Sequence, residues 1–142
     1  MVQQAHHGIG KIISLWLPVA VWMGLIFYLS SISGLAVGEG VVDFWTRKPA
    51  HVFEYAVLLI LIARALRGSN FRFSIFNYQL GTLLLAFLLS FFYAISDEFH
   101  QLFVPLREGK ISDLGFDLLG ILVGVLFLRF SRKGGVDSRN SQ

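Results

Sequence analysis

The chain has 142 residues, 55% of them hydrophobic, only 15% charged, and a mean hydropathy of +0.66. Such values exclude an ordinary water-soluble domain, and a net charge of +3 with its basic residues in short clusters between apolar runs points to membrane orientation rather than nucleic acid. The absence of cysteine rules out disulfide frameworks and thiolate metal sites.

A helix needs about 20 mostly apolar residues to cross a bilayer, and the chain offers four such runs. The first predicted span covers 12–30, with Trp16 and Tyr28 near its ends and Pro18 in its first two turns, where a kink costs least. A rival reading is a signal peptide opening on Lys11 and closing in small residues around Ser31 to Gly34. The apolar core is longer than the usual ~7–15 residues, which favours an uncleaved span. A connector over 31–48 carries Gly34, Gly38 and Gly40, then Val41, Val42, Phe44 and Trp45, a short amphipathic segment suited to the interface.

The second span covers 49–66. Pro49 suits a first helical position, and Arg64 and Arg67 suit the negative end of the helix dipole. After a connector over 68–78, the third span runs 79–96 and on toward Gln101, before Pro105 and Gly109 break the helix. The fourth runs 112–130, with Ser112 as N-cap and Asp113 at the positive helix end. The predicted fold class is therefore all-α, an integral membrane, up-and-down bundle of four transmembrane helices. It forms one domain over 12–130, between an N-terminus of 1–11, with His6 and His7 in disordered chain, and a flexible tail of 131–142.

Orientation follows from the basic residues. Lys11, Arg64, Arg67, Arg72, Arg129, Arg132, Lys133 and Arg139 fall on one side, and Arg47, Lys48, Arg107 and Lys110 on the other. Eight against four places both termini in the cytoplasm.

Chain direction reverses at each span, so the start of span two, the end of span three and the start of span four share one side. The ionisable residues concentrate there. His51, Glu54 and Tyr55 share a helical face, as do Asp97, His100 and Gln101, and Asp113, Asp117 and Gly120. A stripe of this kind facing lipid is costly, whereas three facing one another form a polar pocket at the outer leaflet. Gly120 and Gly124 continue the Asp stripe as a small-residue face that admits a close neighbour.

The chemistry offered is of three kinds. His51, Glu54, Asp97, His100 and Asp117 form a candidate catalytic acid/base set. His51 with Glu54, and Asp97 with His100, have ligand spacing for a divalent metal in a helical bundle, a weak signal because such spacings are common. Lys48, Tyr55, Tyr93, Gln101, Arg107 and Asp113 are candidate ligand-binding residues, with Arg47, Lys48, Arg107 and Lys110 suited to an anionic group. Tyr93, Phe99, Phe103 and Trp45 would rim the site. The bland reading is a network that only locks helix packing. Within it, Asp113 is a helix-dipole residue, Glu98 faces away from Asp97 into solvent, and Phe87, Phe91 and Phe92 contact lipid or pack.

Three segments carry a family resemblance. They are Lys48-x-x-His51-x-x-x-Tyr55, then Tyr93-Ala-x-Ser96-Asp97-Glu98-x-His100-Gln101 followed by Phe103-Val-Pro105-x-Arg107, and Asp113-x-x-x-Asp117-x-x-Gly120-x-x-x-Gly124. Over residues 15–130 the chain resembles the VanZ-like family of small bacterial membrane proteins. It departs from the family at Leu106, where the turn commonly reads Pro-Gly-Arg. The resemblance implies a multi-pass protein of the bacterial cytoplasmic membrane and a link to low-level resistance to teicoplanin, a lipidated glycopeptide, but no agreed catalytic activity. The function expected is to bind or modify a cell-envelope component: a lipid headgroup, a lipid-linked precursor or a lipoglycopeptide. The alternatives are a proton-coupled transporter and a structural membrane subunit. Expected partners are membrane lipids, a lipid-linked or glycopeptide ligand and a second copy in a homo-oligomer, with no nucleic acid. A divalent metal is the one cofactor the residues suggest.

Overall fold

The computed structural model describes residues 2–32, 41–69, 78–105 and 111–137, with side chains described over 9–32, 47–69, 79–105 and 112–131. Four helices account for nearly all of them: α1 (Val2–Ser31), α2 (Val41–Gly68), α3 (Tyr78–Gln101) and α4 (Ile111–Asp137). Each contains a segment long and apolar enough to cross a membrane: Ile9–Ser31, Arg47–Gly68, Gln79–Gln101 and Ser112–Ser131. At about 1.5 Å per residue even the shortest reaches roughly 30 Å, the thickness of the hydrocarbon core. The predicted all-α bundle of four membrane-spanning helices is the architecture found.

Helix borders differ from the sequence reading in three places. α1 begins at Val2, so His6 and His7 lie on helical backbone and Pro18 is mid-helix. α2 begins at Val41, so the segment expected in the interface supplies its first turns and Pro49 is internal. α4 begins at Ile111 and runs to Asp137, which puts Ser112 inside the helix instead of at its cap and makes 131–137 helical. One reason covers all three. Hydropathy marks where a helix leaves hydrocarbon, but the backbone continues its i to i−4 bonding into water, and a proline removes one such bond without ending the rest. The connector glycines Gly34, Gly38 and Gly40, with Arg72 and Gly109, lie outside the described residues.

α2 is the hub. It packs on all three other helices, most extensively on α4, while α1 and α4 do not touch among the described residues. Half of the α2 crossing segment is buried in the bundle, against 11% for α1, and α2 is the least apolar of the four. A membrane bundle requires this ordering, because lipid-facing helices must be apolar and polar groups are tolerated only inside. Leu17, Val21, Leu88, Phe92, Leu126 and Phe130 accordingly point outward, and Leu58, Leu59, Ile62, Ala63 and Leu66 of α2 form the core with Ile26, Ala86 and Ile121.

α4 approaches α2 through two glycines. A Cβ at Gly120 would lie 2.9 Å from Val52 Cα, and one at Gly124 would lie 2.9 Å from the Ala56 carbonyl oxygen. Asp113 and Asp117 precede these glycines on the same face. The small-residue contact therefore carries both carboxylates onto α2 and sets their depth.

Candidate functional site

The polar residues gather at one end of the bundle, where α1 and α3 end and α2 and α4 begin. They divide into two neighbouring groups, one turned toward α1 and the other toward α2 and α4.

One group faces α1. Asp97, 2% exposed, accepts hydrogen bonds through Oδ2 from Ser30 Oγ at 2.8 Å and from Gln101 Nε2 at 3.0 Å. Tyr93 donates its hydroxyl to the Met23 carbonyl at 2.6 Å, so it joins α3 to α1 and does not rim an open site. Trp22 Nε1 donates to the Glu54 carbonyl at 3.0 Å, joining α1 to α2. His100 stacks on Phe27 of α1, ring centroids 4.2 Å apart.

The other group faces α2 and α4. His51 Nδ1 lies 2.7 Å from Asp117 Oδ1, both side chains buried. Glu98 joins them: one ligand-capable atom from each of His51, Glu98 and Asp117 lies within 4.8 Å of the others. A step outward, Asp113 is held by Lys48 Nζ at 3.4 Å and by Arg47 at 3.5 Å, with Ser112 Oγ donating to the same carboxylate at 3.2 Å. Lys48 also sits 4.2 Å over the Phe116 ring. Tyr55, one turn along α2 from His51, is fully buried beneath this group.

Two expectations are corrected here. The metal set His51, Glu54, Asp97 and His100 does not converge, because Asp97 and His100 turn toward α1 while His51 faces α4. Glu98, expected in solvent, is 9% exposed and central. Neighbouring residues on a helix diverge by about 100°, and α3 is enclosed on both sides at this level, so Asp97 and Glu98 are both buried against different partners. Ser30 was missed as well. Its signal was available, since the end of α1 falls on the same side by chain reversal. Arg107 and Lys110 lie outside the described residues, as does the Trp45 side chain, and Phe99 and Phe103 form an exposed edge-to-face pair 5.2 Å apart.

Beside the second group, a groove of about 460 Å³ opens between α2 and α4. Val52, Phe53 and Ala56 form one wall, Phe116, Leu119 and Val123 the other, and Lys48 stands at its head. The polar side chains thus close tightly on one another, and the open volume next to them is apolar.

No curated protein and no solved structure matches the chain. The family model described as VanZ/LLP1 matches residues 15–132, which include all four membrane-crossing segments but for the first six residues of α1's, and the chain belongs to the VanZ/LLP1 family.

Proposed function

We propose that the protein binds an anionic, lipid-anchored component of the bacterial cell envelope at this end of the bundle, facing outward with both termini in the cytoplasm. The observation that carries the reading is the groove between α2 and α4, apolar along its length with one cation, Lys48, at its head. Its volume falls in the range of ligand sites, about 300–1,000 Å³. An acyl chain fits the walls, and a phosphate or carboxylate suits Lys48 and Arg47, which hold Asp113 at 3.4 and 3.5 Å, lengths long enough to yield to a better anion. A lipidated glycopeptide of the teicoplanin type presents similar chemistry, which makes altered susceptibility to it one expected consequence. The aliphatic core of α2 beyond Tyr55 favours binding at one end over a path across the membrane.

The test is native mass spectrometry of detergent-purified protein with phosphatidylglycerol and phosphatidylcholine of matched chains. Retention of the anionic lipid should fall at least about tenfold, ~1.4 kcal/mol, in Lys48→Gln and in Ala56→Trp, which fills the groove. Equal retention of both lipids by wild type and both variants would remove the reading.

The bonds to α1 support a second role for the other group of residues, as a packing lock. Asp97→Asn should then lower protein abundance in membranes while leaving lipid retention per folded molecule unchanged.

A further inference from the structure

We propose that His51, Glu98 and Asp117 bind a divalent metal ion of the Zn²⁺ or Mn²⁺ class. The inference goes beyond lipid binding and does not rest on it. Three helices each contribute one donor, and the donor atoms lie within 4.8 Å of one another. Two atoms that both touch one ion at about 2.1 Å stand about 3 Å apart at a right angle. The 2.7 Å between His51 Nδ1 and Asp117 Oδ1 is close to that edge, so an ion could take the place of the proton these two atoms share, and the other donor spacings, at most 4.8 Å, would shorten toward it on binding.

The surroundings supply an independent argument. Asp117 is fully buried, yet its Oδ2 makes no hydrogen bond among the described residues. The hydroxyl of Tyr55, also fully buried, is likewise unbonded and lies within electrostatic range of Asp97 and Asp117. A buried oxygen without a partner typically costs about 1–3 kcal/mol, more when charged. A cation placed against Asp117 Oδ2 removes that penalty, and a water on the ion's open face would donate a hydrogen bond to the Tyr55 hydroxyl oxygen. Among the described residues, the basic side chains Arg47 and Lys48 at this end are held by Asp113 a turn further out. One imidazole with two carboxylates and no sulfur suits Zn²⁺ or Mn²⁺ better than Cu⁺ or an iron–sulfur cluster.

The experiment is elemental analysis of the purified full chain, followed by titration of metal-stripped protein with Zn²⁺ and Mn²⁺ under calorimetry. Wild type should carry or take up about one ion per chain, and Asp117→Asn and Glu98→Gln should each weaken binding at least about tenfold. Asp97→Asn, which removes a nearby charge but no ligand, should weaken binding far less than either ligand variant. Helix content and monodispersity of each variant separate lost metal from lost fold, and the isosteric Glu98→Gln is the variant to read if Asp117→Asn fails to fold. No uptake by wild type, or equal uptake by wild type and Glu98→Gln, would overturn the proposal. Unchanged lipid retention in metal-stripped protein would leave the two proposals standing separately.

Discussion

The two halves of α2 meet their neighbours through different chemistry. From Lys48 to Tyr55 the helix presents an ammonium, an imidazole and a phenol to carboxylates on α3 and α4. From Leu58 to Leu66 its buried face presents aliphatic carbon to aliphatic carbon. The second half requires only complementary volume, and lipid tails would solvate its surfaces nearly as well as a neighbouring helix does. The first half holds groups that hydrocarbon rejects, so its geometry is fixed by charge and by where each proton or ion sits. A membrane bundle can therefore keep one end replaceable while the other is chemically specified.

The largest break in this comparison comes from removing one member of the buried pair. His51→Leu should destabilise the protein by about 3–5 kcal/mol, because it leaves the Asp117 carboxylate buried without its imidazole partner. Adding Asp117→Leu should recover much of that loss, since an apolar pair replaces an ionic one. Thermal unfolding of both variants in one detergent reads the difference. A double variant no more stable than the single would show that the polar pair is not what sets this half apart. Next in size is Gly120→Ala. The added methyl meets the Val52 backbone, which cannot move without parting α4 from α2. The cost should be about 1–3 kcal/mol by unfolding.

Much of this layout is legible in the sequence. Apolar run length yields four spans, and reversal of direction alone brings His51, Asp97 and Asp117 to the same depth. Gly120 and Gly124 announce a close approach, although not that α2 is the partner. Periodicity falls short where the answer depends on a neighbour. It places residues on a face of their own helix but does not say what that face meets. His100 and Gln101 both follow Asp97 at helical spacing, yet only Gln101 bonds it, because Phe27 of α1 captures the imidazole. Glu98 is the sharper case. Ala94, Glu98 and Gln101 are all buried at i, i+4 and i+7, a second inward stripe hidden by the louder one through Asp97.

Smaller effects sharpen the contrast. Ser30→Ala removes one hydrogen bond to Asp97, and interhelical polar bonds in membranes average about 0.6 and reach about 1.7 kcal/mol. Its loss should appear as a modest fall in melting temperature, larger than that of Ser69→Ala at the other end, where Trp16 Nε1 donates to the Ser69 hydroxyl at 3.0 Å.

The smallest expected effect is Gly68→Ala, and its sign carries the point. Gly68 closes α2 and has a backbone conformation open to any L-residue. A Cβ there would meet Leu15 side-chain carbons at 2.6 to 3.2 Å, nearly as tight as the contact at Gly120. The obstacle is the far end of a flexible leucine, however, and not a backbone. Leu15 can change rotamer against lipid, while alanine in a helix gains about 0.5–1 kcal/mol over glycine. The two terms should nearly cancel, leaving the melting temperature unchanged or slightly raised. If Gly68→Ala proved as harmful as Gly120→Ala, the aliphatic end would be as tightly specified as the charged one, and the distinction between the halves of α2 would collapse.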